Sequence, residues 1–339
     1  MAGHQYLAML NRPSAKSVEL DQAIWIPVNS DKAQKLHVLT GFEGSFYQLN
    51  EIVDSLTGVY SLKTEAENLL IKIIDASGQA TQTCAEKIAS HLFEKSIRTV
   101  RCLKGYPKYN RSHDLVVLIY PFIKNRYLKI SPDNMRMLGA ELGHLHQALK
   151  TFPDEDAIEE TSKLHLERCL SNKDTLVKIL TSIGVDTQFI EETIELKIAD
   201  SFMSSPQIIH GDLNYSNILQ SCHEKKPIIF IDFEEATRSY FTPLVDVAMI
   251  IERFIKITSA QYDDLLVSFK EGYINETGIW FNSPHHLTDI LRSLSARALL
   301  LLASEHEKRD QTWRLKEQSK FLKLHHDAML YHEHLANWQ

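Results

Sequence analysis

Residues 208–219 read Ile208-Ile209-His210-Gly211-Asp212-Leu213-Asn214-Tyr215-Ser216-Asn217-Ile218-Leu219. An apolar strand enters a polar loop and leaves it apolar again, and inside the loop four residues separate Asp212 from Asn217. Fifteen positions beyond Asn217, Asp232 closes a second apolar run, Ile228-Ile229-Phe230-Ile231. Two strands thus end on one carboxylate, one amide and a second carboxylate. Such oxygens are the donors Mg2+ prefers, and Mg2+ takes only one or two protein carboxylates besides phosphate and water. An isolated Asp-x4-Asn is ordinarily a solvated loop, and an aspartate after an apolar run is ordinarily a turn residue. The three together, in order and between strands, read as a site.

Outward from this stretch, strand patterns come early and helix patterns late. Leu36–Leu39 reads as a strand, followed by Gly41-Phe42-Glu43-Gly44-Ser45 and a second strand over 46–52, which predicts a hairpin. Asn68–Ile74 is a further strand carrying Lys72 between Ile71 and Ile73. Ala85, Ile88, Ala89, Leu92 and Phe93 recur at helical spacing, with Thr81 or Thr83 as cap. Leu115–Tyr120 is an apolar run of strand length ended by Pro121. Ser131-Pro132 opens a helix striped by Leu138, Leu142, Leu145 and Leu149. Thereafter the pattern is helical apart from strands at 207–210 and 227–232. The fold predicted is α+β, with a β-rich part joined to a helical one. Residues 1–36 carry no motif beyond a turn at Asn11-Arg12-Pro13-Ser14 and a short strand at 23–28.

The 339 residues suffice for two domains, and 44% hydrophobic with 24% charged content is that of an ordinary globular protein. The net charge of −7 argues against a nucleic-acid binder, since phosphate backbones are held by Lys and Arg. Cys84, Cys102, Cys169 and Cys222 form no C-x-x-C pair, which predicts reduced thiols in a cytoplasmic setting. No basic start precedes an apolar core, so no signal peptide is expected, and the longest apolar runs are too short for a membrane. The His144/His146, His285/His286 and His325/His326 pairs lack metal-ligand spacing and are assigned to packing or surface.

Phosphoryl transfer needs metal on the phosphates, a cation on their oxygens and a carboxylate to orient the attacking hydroxyl. The D-x-x-x-x-N spacing of Asp212 and Asn217 is that of a kinase catalytic loop. His210–Leu219 resembles the HGDxxxxNIL signature of the aminoglycoside phosphotransferase and choline kinase family. Ile231-Asp232-Phe233-Glu234 resembles its metal motif, Pro243–Ala248 its D-x-A helix start, and Leu142-Gly143-His144-Leu145-His146 its L-x-x-LH helix. The resemblance covers residues 37–260, with motifs in family order. Asn214-Tyr215-Ser216 departs from the His-Pro-Gly common among antibiotic kinases, which bears on the acceptor and not on the metal.

The resemblance implies a protein-kinase-like two-lobed fold, with a β-rich N-lobe over 37–122, a mainly helical C-lobe over 123–339, and an extension of unread role over 1–36. It implies Asp212 as catalytic base, Asn217 and Asp232 as Mg2+ ligands, and His210 with Asp246 as supports of the loop. Lys72 would hold the nucleotide phosphates, paired with Glu86, and Gly41 and Gly44 would form the turn over them. Tyr120–Ile123, including Phe122, would be the hinge that meets the adenine edge. The expected reaction takes ATP or GTP with Mg2+ and a small hydroxyl acceptor such as an aminoglycoside, choline, ethanolamine or a related metabolite. An amine on the acceptor is expected from Glu252, Asp263, Asp264, Glu271 and Glu276 interleaved with Phe254, Tyr262, Tyr273 and Trp280. A non-catalytic nucleotide-binding module and nucleotidyl transfer to protein are the alternatives.

Overall fold

The computed structural model describes residues 25–49, 55–123, 125–185, 187–188, 202–221, 228–255, 259–304 and 311–336. The turn at 11–14, Cys222 and the end of the 46–52 strand lie outside them. The chain divides into two compact units, Met1–Asn134 with Asn214–Glu234, and Met135–Leu213 with Glu235–Gln339.

The first unit holds a six-stranded sheet, every neighbouring pair antiparallel. Its strands are β1 (Trp25–Pro27), β2 (Ser45–Leu49), β3 (Gly58–Lys63), β4 (Asn68–Asp75), β5 (Lys108–Asn110) and β6 (Leu115–Pro121), in the order β1-β2-β3-β4-β6-β5. The unbroken apolar run of β6 follows from burial on both faces. Leu115, Val117 and Ile119 join Leu69, Ile71 and Ile73 in one core, while Val116 and Leu118 pack with Ile74 on the other face.

Residues 36–39 are not a strand. They belong to helix α1 (Ser30–Thr40), capped by the Asn29 side chain and closed by the Gly41 N–H on His37 O. Leu36 and Leu39, one turn apart, are buried in the core that Phe46 and Tyr60 share. The expected hairpin with Gly41 and Gly44 at its turn is therefore absent; these glycines join α1 to β2, and the boundary drawn at residue 36 falls inside a helix. Helix α2 (Gln79–Glu94) follows a 3-10 turn at Ala76–Gly78 and has no side-chain cap. Thr81 and Thr83 lie within it, Thr83 donating to Gln79 O.

A small sheet, β10-β9-β7, completes the unit from β7 (Asn125–Tyr127), β9 (Ile218–Ser221) and β10 (Ile228–Phe230). The first unit thus continues past residue 122 and regains residues 214–234.

The second unit is helical. Helix α3 (Pro132–Leu149), which starts within the first unit, takes its cap from Ser131 Oγ, which accepts from Asn134 N at 3.3 Å. Then come α4 (Glu155–Leu170), α5 (Lys173–Ser182), α6 (Leu244–Phe254), α7 (Tyr262–Thr277), α8 (Pro284–Ser304) and α9 (Gln311–Ala336). A two-stranded ladder pairs β8 (Gln207–Ile208) with β11 (Tyr240–Phe241). Hydrogen bonds from Thr288 to Ala328 O and from Ser295 to Phe321 O show α8 and α9 running antiparallel. No described helix is long and apolar enough to cross a membrane.

Candidate active site

In the first unit, β9 and β10 pair with Phe230 opposite Ile218. The next step of the ladder is a bond from Ile231 N to Asn217 O at 3.1 Å, so Asn217 and Asp232 leave the same end of one hairpin. Asn217 is buried at 1% exposure, and Asp232 has a φ of +64°. A left-handed aspartate stores about 1–3 kcal/mol of strain, as residues at functional sites often do.

Lys72, on β4, donates to the Glu234 carboxylate and lies 3.8 Å from Asp232 Oδ1. Burial pushes its pKa down, but the charges of Asp232, Glu234 and Glu86 outweigh that and raise it. The expected direct pair of Lys72 with Glu86 is not formed. The Glu86 carboxylate instead accepts from Tyr120 OH at 2.8 Å and Cys102 N at 2.9 Å, and acts on Lys72 only through its field. Burial, then the Glu86 charge, raise the Tyr120 hydroxyl well above its usual value. At the expected hinge, Phe122 N already donates to Asn68 O at 3.0 Å, which withdraws that amide from adenine recognition.

The second unit contributes the front of the loop. Asp246, fully buried in the first turn of α6, accepts from His210 N at 2.8 Å and Gly211 N at 2.9 Å. His146 Nε2 lies 3.0 Å from Asp246 Oδ2, and His146 Nδ1 lies 2.9 Å from Tyr273 OH. A carboxylate can only accept, so Nε2 carries a proton towards Asp246, and the tyrosine hydroxyl holds the other side of the ring. Burial, then the Asp246 charge, push the Tyr273 hydroxyl up. Gly211 has φ +78°, and a Cβ there would stand 2.3 Å from Ser239 Oγ; only glycine fits. Asp212 N points back to His210 Nδ1 at 3.4 Å, and Asp212 Oδ1 receives Arg253 Nη1 at 3.1 Å.

The structure thus gathers Lys72, Asn217 and Asp232 in one unit and His210, Asp212 and Asp246 in the other. Sequence reading missed three participants. Glu234 stood inside a quoted motif without a role, and His146 was assigned to packing when its ring also bonds Asp246. Arg253 lies 41 residues from its partner, with no motif to announce it.

The expected cation pocket on α7 is not built. Phe254, Tyr262 and Tyr273 are buried, whereas Asp263, Asp264, Glu271 and Glu276 are exposed. Glu271 pairs with Arg136 at 2.6 Å and Glu276 with His144 at 2.9 Å; the pattern is an aromatic core under an acidic surface. Among the described residues, no three His, Cys, Asp or Glu side chains are grouped to hold a metal by themselves.

No curated protein sequence matches the chain significantly. Solved structures match with low identity and show a protein-kinase-like fold. A putative aminoglycoside phosphotransferase from Ralstonia eutropha is 12% identical, with a TM-score of 0.60 over 90% of this chain and 98% of its own. Spectinomycin phosphotransferase in complex with ADP and spectinomycin gives 14%, 0.56, 90% and 99%. An amicoumacin kinase in complex with AMP-PNP, Ca2+ and its antibiotic gives 17%, 0.53, 83% and 87%. Residues 54–278, well over half of the sequence, match the profile of the phosphotransferase enzyme family (APH), and the chain belongs to that family.

Proposed function

We propose that the chain is a small-molecule kinase that moves the γ-phosphoryl group of ATP or GTP to a hydroxyl of a small acceptor. The observation that carries this reading is the Lys72 ammonium seated against Asp232 and Glu234, with Asn217 at the same hairpin end as Asp232. An ammonium already rests on these carboxylates, and their oxygens suit a hard divalent cation. Asn217, Asp232 and Glu234 would hold Mg2+, which when bound neutralises phosphate charge. Lys72 would then take the phosphate oxygens.

Asp212 accepts the hydroxyl proton while the acceptor oxygen bonds the γ-phosphorus. The bond from that phosphorus to the bridging oxygen breaks, and the nucleoside diphosphate leaves with the electron pair. Arg253 fixes the Asp212 carboxylate, and Asp246 with His146 fixes the two amides just before it. Tyr120 and Phe122 would border the adenine.

The named neighbours act on antibiotics, which makes hydroxyl-bearing antibiotics the first acceptors to assay. The geometry of α7 lends no support to a required amine. A coupled assay would follow ADP or GDP release over aminoglycosides, amino alcohols and neutral sugars, with Asp212→Asn as blank. Acceptor-dependent release missing from the blank is expected. Nucleotide binding without release on any acceptor would replace the kinase by a binding module, and protein labelled from the α-phosphate would mark nucleotidyl transfer.

A further inference from the structure

In the second unit, two guanidinium groups share one carboxylate beside the loop that carries Asp212. The carboxylate is that of Glu235, at the head of the 3-10 turn Glu235–Arg238. Arg238 Nε donates to Glu235 Oε2 at 3.1 Å and Arg238 Nη2 to Glu235 Oε1, so the turn closes on itself. Arg297, on α8, brings Nη2 only to 3.7 Å from Glu235 Oε2, beyond hydrogen-bond distance. It lies over the Phe241 ring, 5.6 Å from the centroid, and is 7% exposed. Its Nε and Nη2 have no hydrogen-bond partner among the described residues. Burying unmatched guanidinium donors is costly, and the groups that match their fork are carboxylate and phosphate.

The neighbouring side chains do not supply that anion. Burial, then the charges of Arg238 and Arg297, hold His165 at about 4, so it stays a neutral imidazole. Burial raises the Cys169 thiol although both arginines act to lower it, so the sulfur keeps its proton. The turn also lies against the catalytic loop. A Cβ on Gly211, the residue before Asp212, would stand 3.3 Å from Glu235 Cβ and would strike Ser239, whose Oγ is likewise buried without a partner.

We infer that Arg297, with Arg238, receives an anionic group of the acceptor, a carboxylate or a phosphate, while the acceptor's hydroxyl faces Asp212. The place of the hydroxyl rests on the kinase reading; the anion rests on the unmatched guanidinium. The acceptor class is then a hydroxy acid or a hydroxyl-bearing phosphate ester.

Two measurements on the full chain test this. The first follows melting with rising sodium acetate at constant ionic strength. The site predicts that acetate raises Tm in the parent more than in Arg297→Gln. It predicts a still larger rise in Glu235→Gln, where the guanidiniums lose their built-in counter-charge. A merely structural ion pair would lose stability in Glu235→Gln and gain no response to acetate, so this variant decides if Arg297→Gln does not fold. An equal rise in parent and variants means an adventitious ion only and overturns the site, as does no rise in the parent. The second measurement compares transfer from ATP within sets that differ by one anion: glycerate and glycerol 3-phosphate against glycerol, and serine against ethanolamine. An anionic member should have kcat/KM about tenfold to a hundredfold above its neutral partner, the span of one charge-assisted hydrogen bond. Arg297→Gln should bring that ratio close to one. The better of glycerate and glycerol 3-phosphate tells carboxylate from phosphate. Transfer that favours the neutral members, or reaches none of these compounds, overturns the acceptor role. Failure of the parent to bind ADP overturns the kinase reading instead and leaves the anion site to the acetate result.

Discussion

In the first unit, the Asp232 and Glu234 carboxylates meet an ammonium on a long flexible stem, and all three side chains keep 13–14% exposure. In the second, Asp246 is fully buried and meets two backbone amides and an imidazole locked by Tyr273. The first set is made of charges that can change partners when a ligand brings its own cation and phosphates. The second is made of groups with nowhere else to turn. On the proposed kinase reading, the first set would exchange ions at each turnover and the second would keep the Asp212 carboxylate where it is.

Four substitutions or conditions would break or sharpen this contrast. Asp212→Asn removes the proton acceptor and should lower kcat by about a thousandfold, while nucleotide affinity and melting temperature stay near those of the parent. Steady-state kinetics with calorimetry reads this, and near-normal turnover would end the assignment. Asp246→Ala should act through folding, because it strands two buried amides and His146 at a cost of about 3–5 kcal/mol, read by denaturant titration. A loss below about 1 kcal/mol would mean that the second unit is as replaceable as the first.

Lys72→Met should separate binding from transfer. Transfer falls about a hundredfold for want of the phosphate cation, yet Mg2+ without nucleotide should bind more tightly, since the competing ammonium is gone. Metal titration of both proteins checks this, and unchanged Mg2+ affinity would remove Asp232 and Glu234 from the metal site.

The smallest effect concerns acid. Burial holds His165 on α4 and His325 on α9 at about 4, below the usual histidine value of 6.5. The folded state therefore binds fewer protons than the unfolded chain between these values. Stability present above pH 6.5 is lost as pH falls towards 4, by about 1–2 kcal/mol per histidine after allowing for solvent. Lys72 runs the other way: its pKa is raised, so its contribution is whole below 10.5 and fades only above that. Hydrogen exchange at pH 5 should show α4 and α9 loosening before the sheet, and His325→Leu should remove part of the acid sensitivity. Equal loosening of both units would deny the difference.

Much of this was legible in the order of residues. β4 and β6 announced themselves because both are buried and apolar, and α2 and α3 because their Leu and Ala recur every three to four residues. The loop was legible because Asp212, Asn217 and Asp232 interrupt apolar runs at fixed spacing. Helix α1 was not: four residues around Leu36 and Leu39 fit either period, and only the capping Asn29 and the buried Lys32 upstream would have settled it. The partners of Lys72 and Asp212 were hidden for another reason. Ion pairs spanning 162 and 41 residues are decided by packing, which leaves no local pattern to read.

Asp246 grips the 210–212 loop by its amides, a handle that every residue except proline carries, while the space beside Gly211 admits no side chain at all. If the proposed kinase reading holds, selection for a new acceptor can work on surrounding side chains without loosening Asp212. A lineage built this way can diversify in what it modifies and stay conservative in how it does so.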